Sequence, residues 1–267
     1  MGKVPFATYP VFREGILELD AIYERVTGSS LVKTTGLFSK VYGLALPNPW
    51  PVEITLLAMT MFQIAMTDLL ATIGIKPTAV IGHSAGETPM IYGAGAGPKE
   101  MALEITIARS KAMKVMESLN GGMAVLGCDE ATGSSALIDE VVSLASIANV
   151  FAQRVQTLSP SHSSMTEVCK EEYLGNARAV FEEFPELHSP TIPCYLTVAG
   201  HREYIREFTT DYLWESPRHP VHFHQVISSI LGDHPDVVFI EISPPPSPLF
   251  LCLRDCCLVR SGGASVS

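Results

Sequence analysis

The chain has 267 residues, 47% of them apolar and only 17% charged, against roughly 25% charged in ordinary soluble domains. That balance excludes a disordered chain, because enough apolar surface exists to offset the entropy of folding, in one large core or two small ones. Eighteen basic against 28 acidic residues leave a formal net charge of −10 with no Lys/Arg run longer than two, which excludes nucleic acid as a general partner. The opening MGKVPFATYPVFREG lacks the apolar stretch of a secretory signal. Phe6 also stands where a myristoylation pattern needs Ser or Thr. Cys128, Cys169, Cys194, Cys252, Cys256 and Cys257 form no CxxC pair, so reduced thiols in a cytoplasmic protein are expected.

In chain order, residues 1–45 read as loops and short helices, with Phe12, Ile16, Leu19 and Ile22 at helical spacing. Pro47, Pro49 and Pro51 mark a loop; Pro51 suits the first position of the next helix and Glu53 its first turn. That helix is predicted to run to about Ile73 and to stop at Gly74. It is apolar nearly all round but carries Gln63, Asp68 and four threonines, which fits a helix covered on both sides and not a membrane span. Residues 78–81 form a short β-branched run without alternation, as a central parallel strand does. A turn and a small-residue helix follow, then a helix opened by Pro98 and reaching about Leu119. Strand, turn, helix, helix in this order predicts an α/β layer architecture. Beyond Gly122 the expected elements are a strand over 123–127, a helix over 135–147, an extended run over 151–158, a helix from His162 through Tyr173 to Phe184, and strands over 192–198 and 237–242.

Gly82-His83-Ser84-Ala85-Gly86 fits G-x-S-x-G between a predicted strand and a helix. A turn that tight leaves no room for side chains two residues before and after the serine; it exposes the Oγ and aims the next N–H, that of Ala85, at a developing oxyanion. The alternatives are a bystander serine in a glycine-rich turn or a phosphate-cradling loop, although no Walker lysine follows. A nucleophilic serine needs a base. Among eight histidines, His83 is adjacent but is expected to point away from the turn's tip, and His162 is one candidate among the rest. His219, His222 and His224 in HPVHFH suggest metal, but without a Cys or carboxylate partner they read as ordinary strand histidines, and no metal is expected. Arg109 falls in an apolar stretch of the Pro98 helix. It is either a structural ion pair, a residue of a solvated face, or a fork for a substrate carboxylate.

Gly82-His83-Ser84-Ala85-Gly86-Glu87, Arg109 within IARSKAM, Gly121-Gly122-Met123-Ala124-Val125 and His162-Ser163-Ser164-Met165 occur in this order. They resemble the acyltransferase domain of iterative fungal polyketide synthases, related to malonyl-CoA:acyl carrier protein transacylases. Further matches are Gly28-Ser29-Ser30-Leu31, Tyr212-Leu213-Trp214-Glu215 and Phe239-Ile240-Glu241-Ile242, and the resemblance runs over about residues 10–250. It implies an α/β fold: an α/β-hydrolase-like large subdomain (1–120 and 162–260) with an inserted, truncated ferredoxin-like small subdomain (121–161), then a disordered tail (261–267). It also implies Ser84 as the acyl-accepting nucleophile and His162 as its base, oriented by the backbone at Ser216. Arg109 would hold a malonyl carboxylate, and Ala85, His83 and Gln63 would line the substrate site. No bound cofactor is implied: malonyl-CoA is the substrate, and the partners are acyl-CoA and a phosphopantetheinylated acyl carrier protein or polyketide synthase in trans, with neither nucleic acid nor membrane.

Three departures qualify the match. The family's first strand and G-Q-G turn, source of a second oxyanion donor, has no counterpart in these residues, and one lost donor lowers turnover by about a hundredfold. About 40 residues between Met123 and His162 are too few for four strands and two helices. Pro245 replaces a family histidine. The expectation is therefore a free-standing piece of a larger synthase. A basic patch at Arg109, Lys111 and Lys114, or at Arg202 and Arg206, would have to meet the carrier. The competing readings are a serine hydrolase or thioesterase using His234 and Asp211, and a non-catalytic fragment of such a domain.

Overall fold

A computed structural model describes residues 1–39, 46–126, 129–185, 188–198 and 204–243. Expectations that fall on Cys128, Arg202, Pro245, Cys252, Cys256, Cys257 and the tail 261–267 lie outside these residues. The spacing of Phe12, Ile16 and Leu19 builds one 18-residue helix, α2 (Pro10–Thr27), between α1 (Lys3–Thr8) and α3 (Leu31–Thr35), where the sequence predicts only loops and short helices. Pro10 presets its first turn. Gly28, left-handed at φ 82°, ends it by donating to Glu24 O at 2.8 Å. Buried Asp20 then accepts from Ser30 Oγ and from Val32 N, fixing α3 against α2.

Helix α4 (Val52–Thr72) ends as predicted, but Pro51 is its N-cap and not its first helical residue. Among the described residues α4 is the one helix long and apolar enough to cross a membrane. Here it packs on α2 and on α6 (Lys99–Met113), with nine of its residues buried. Helix α6 is buried without interruption from Met101 to Ser110, and Thr60 and Thr106 share a hydrogen bond across the α4–α6 contact at 3.1 Å. A 3-10 segment (Lys114–Leu119) carries the chain on to the predicted end. Because Arg109 is enclosed in this helix, it forms no surface patch with the exposed Lys111 and Lys114.

Strand β1 (Val80–Ile81) pairs in parallel with β5 (Cys194–Tyr195), Val80 opposite Cys194 and Ile81 opposite Tyr195. Of the predicted run 192–198 only these two residues join a ladder, and β1, expected to be central, has one ladder neighbour among the described residues. Residues 237–242 form no ladder. Their period of two survives in packing: Val237 and Phe239 lie on the cluster of Tyr195, Phe223, Val226, Ile227 and Ile230, while Val238 and Ile240 face out. Alternation in sequence reports which side chains are covered, whereas a strand also needs a neighbouring backbone. The HPVHFH histidines are not in a strand. Beyond α8 (Lys170–Glu183), His219 ends α9 (Thr210–Arg218), and His222 caps α10 (Phe223–Asp233), which contains His224. Pro220 between them has no N–H to offer a ladder. No cluster fit for a metal occurs among the described residues.

The chain between Gly121 and Arg154 makes a separate antiparallel sheet in the order β3-β2-β4, from β2 (Gly121–Leu126), β3 (Asp129–Ser134) and β4 (Ala152–Arg154). The predicted helix α7 (Ser135–Ile147) covers it. The sequence predicts no strand at β3, since Asp, Glu, Ala and Gly are poor strand formers; pairing along all of β2 makes it one. The unit holds three strands and one helix among the described residues. It bears on the rest of the molecule at Gly121, where a Cβ would stand 2.4 Å from Pro160 Cγ, two residues before His162.

Candidate active site

The helix α5 (Met90–Gly93) follows the turn that leaves β1. Ser84–Glu87 is a 3-10 turn, and Ser84 itself is left-handed at φ 53°. That conformation costs a non-glycine residue about 1–3 kcal/mol, and it lifts the hydroxyl clear of the turn. The turn folds back so closely that a Cβ on Gly82 would stand 2.8 Å from Glu87 Cα and 2.9 Å from Glu87 N. Gly82→Ala is therefore expected to destabilise the protein by about 1–3 kcal/mol, read as a lowered unfolding midpoint in urea. Gly175→Ala, inside the helix Lys170–Glu183 with nothing within 4 Å of the added methyl, is the contrasting control and should raise stability by about 0.5–1 kcal/mol.

His162 meets this turn from the loop after β4. It too is left-handed, at φ 59°, and three bonds hold it. Its N–H donates to Pro217 O at 2.7 Å, its Nδ1 lies 2.8 Å from His219 O, and its Nε2 lies 2.7 Å from Ser84 Oγ. A carbonyl only accepts, so Nδ1 carries the ring proton and Nε2 offers its lone pair to the serine hydroxyl. Burial pulls the His162 pKa down to about 4, and Arg109 and His83 push the same way. The ring is thus neutral at pH 7, the state a base requires. The resemblance assigns this orientation to the backbone of Ser216. The direct bond comes instead from His219, because α9 ends at Arg218 and the next carbonyl swings toward the ring; the Ser216 backbone adds a lesser interaction of the same sign.

Arg109 is buried to 2% exposure beside the turn, with Nη1 3.4 Å from Ser84 O. No carboxylate of the described residues is within ion-pair distance, and its Nε has no hydrogen-bond partner. Neither a solvated face nor a structural ion pair describes it. Burial lowers its pKa, opposed by Tyr173, Glu87, Cys169 and Tyr212 around it. Tyr173 OH and Ser216 Oγ are likewise buried without partners among the described residues. Buried donors left open cost about 1–3 kcal/mol each.

The other expected positions fall around the same turn. Ala85 is buried next to Ser84, where the first N–H groups of a helical turn are not used within it. His83 packs edge-on against Phe223 at 5.2 Å, and burial holds its pKa at about 4. Gln63 of α4 lies under Gly86 and donates to Ile242 O at 2.8 Å, leaving its Oε1 without a partner. Glu87, Thr197 and Tyr212 have no role in the sequence reading, yet Thr197 and Tyr212 both donate to the Glu87 carboxyl. Only the position of Glu87 inside the GHSxGE segment hints at it. His234 ends α10 and lines a cavity of about 520 Å³ with Thr78, Tyr195 and Tyr204, a space that excludes Ser84, so the serine pairs with His162 and not with His234.

Known proteins resemble the chain in sequence and in fold. The acyl transferase domain family covers residues 1–251. The chain belongs to that family. It is 37% identical over 281 residues to the highly reducing polyketide synthase stpks1 of Strobilurus tenacellus, covering 92% of this chain. It is 30% identical over 272 residues to a phenolphthiocerol/phthiocerol polyketide synthase of Mycobacterium tuberculosis, again over 92% of the chain. It spans only 10% and 14% of those relatives' lengths. Among solved structures, the acyltransferase domain of the polyketide synthase PpsC of Mycobacterium tuberculosis superposes with a TM-score of 0.79 at 27% identity, over 97% of this chain and 82% of that one. A loading acyltransferase from the avermectin modular polyketide synthase shares the fold at TM-score 0.81 and 19% identity, over 97% and 86%. This acyltransferase domain thus has their α/β architecture, an α/β-hydrolase-like large subdomain with a ferredoxin-like small one.

Proposed function

We propose that this acyltransferase domain moves a malonyl-type group from CoA, through an ester on Ser84, to the phosphopantetheine thiol of an acyl carrier protein. The observation that carries the reading is one constellation: Ser84 Oγ 2.7 Å from a neutral His162, with the Arg109 guanidinium, its Nε open, beside the same residue. Ser84 Oγ attacks the thioester carbonyl while His162 Nε2 takes its proton. The tetrahedral oxyanion forms near the N–H of Ala85. Its collapse breaks the C–S bond, and His162 returns the proton to the departing CoA sulfur. The carrier thiol then attacks the acyl-serine, its proton passing through His162 to Ser84 Oγ as the ester breaks. Arg109 binds the free carboxylate through paired N–H groups, which favours malonyl over acetyl. The carrier arrives from another chain or another part of a synthase.

Brief incubation with malonyl-CoA, with acetyl-CoA in parallel, should add one malonyl group to the intact mass, and Ser84→Ala should abolish the adduct. Addition of a carrier protein bearing its phosphopantetheine arm should move the group onto the carrier. An adduct released as free malonate with the carrier present would make the domain a hydrolase, and a compact protein that takes no adduct would make it a non-catalytic fragment.

A further inference from the structure

Nucleophile and base come from different stretches of chain, and one helix joins them. Ser84 opens the turn that Glu87 closes. His162 hangs from the C-terminal end of α9, its N–H on Pro217 O and its Nδ1 on His219 O. The first turn of the same helix presents Tyr212, whose hydroxyl donates to Glu87 Oε2, while Thr197, just beyond β5, donates to Oε1. Thr197 also accepts from His222 N at 2.8 Å, fixing the chain past His219. Glu87 is 1% exposed.

We propose that Glu87 is a positioning residue: its carboxylate, bonded to Tyr212, ties the Ser84 turn to the helix that holds His162 and so sets the distance between nucleophile and base. This rests on the reading of Ser84 as the nucleophile. Two hydroxyl donors require two acceptor oxygens, which only the ionised carboxyl supplies; protonation turns one oxygen into a competing donor and loosens the tie. The groups facing the carboxyl are Arg109 from α6, Tyr212 from α9 and Cys194 from β5. Burial raises its pKa to about 7, with both hydrogen bonds and Arg109 opposing. The tie is therefore complete above neutral pH and weakens below it.

The test uses a fluorophosphonate, which needs the nucleophile and base but no acyl-binding site: Ser84 Oγ bonds to phosphorus, fluoride leaves, and His162 takes the proton. Labelling of Ser84 is followed from pH 5 to 9. The wild-type rate should rise through about pH 7. Tyr212→Phe should slow labelling about tenfold at pH 8, and Thr197→Val, which removes a bond to the same carboxylate but no link to α9, by less than about threefold. Glu87→Gln presents an N–H to Tyr212 where the carboxylate accepts, as the protonated acid does, so it should label slowly at every pH, near the wild-type rate at low pH, and lose the rise through pH 7. Equal slowing in Tyr212→Phe and Thr197→Val, or a pH profile unchanged in Glu87→Gln, overturns the proposal. A wild-type protein unlabelled at Ser84 overturns the nucleophile reading, and the proposal with it.

Discussion

His162→Asn should slow acylation of Ser84 by malonyl-CoA about a thousandfold, within the range usually supplied by a positioned general base. Asparagine is the informative replacement because its amide can still donate to His219 O, the acceptor now served by Nδ1 at 2.8 Å. What it loses is the lone pair that Nε2 directs at Ser84 Oγ. The loop should therefore keep its place, and the unfolding midpoint should stay close to wild type while the rate collapses. The wild-type rate should also carry the base's titration. A histidine depressed to about 4 accepts a proton only when neutral, so its contribution is present at neutral pH and lost as pH falls through about 4. That limb lies below the one assigned to Glu87 near pH 7, and Glu87→Gln should expose it alone. Rapid-quench measurement of the acyl-enzyme decides the matter: a variant acylated within tenfold of wild type removes His162 from the role of base.

How far this site is legible in the sequence depends on whether side-chain identity or backbone geometry is at work. The Ser84 turn is legible because its steric demands fall on residue types: glycines at 82 and 86, a β-branched strand before, a helix after. The lack of space at Gly82 is the structural form of the same signal. His162 is one of eight histidines until its neighbours suggest the family. The carbonyl that orients it lies three residues beyond the expected one, since any residue can offer a carbonyl and only the end of α9 decides which one points inward. Glu87 is hidden for a different reason. A glutamate in a turn ordinarily faces water, and its burial follows from contacts with Thr197 and Tyr212, 110 and 125 residues away. The core helices are the most readable part. The apolar face of α2 and the nearly uniform apolar character of α4 match the burial of both, although the sequence divides α2 into shorter pieces. Strand β3 and residues 237–242 depart from expectation in opposite directions, because ladder formation depends on a partner that local composition does not name.

Arg109→Met should produce two effects of opposite sign. A guanidinium at 2% exposure with no carboxylate of the described residues in ion-pair range is desolvated with little return, one 3.4 Å contact to Ser84 O and an open Nε. Buried ions without partners cost several kcal/mol even after relaxation, so an apolar side chain of similar length should raise the melting temperature by several degrees. The same change should slow acylation by malonyl-CoA by about two to three orders of magnitude, since the substrate carboxylate would enter a dry pocket with no counter-charge. Acylation by acetyl-CoA, which needs no such partner, should hold or rise, so the preference between the two donors reverses. The two measurements together separate the readings of this residue. A stabilised protein with reversed preference identifies Arg109 as a receptor whose cost in the free protein is recovered on binding. A destabilised protein that loses malonyl and acetyl transfer in equal measure would show the guanidinium acting through Ser84 O as a brace for the nucleophile's turn, and the carboxylate selectivity would have to be sought elsewhere.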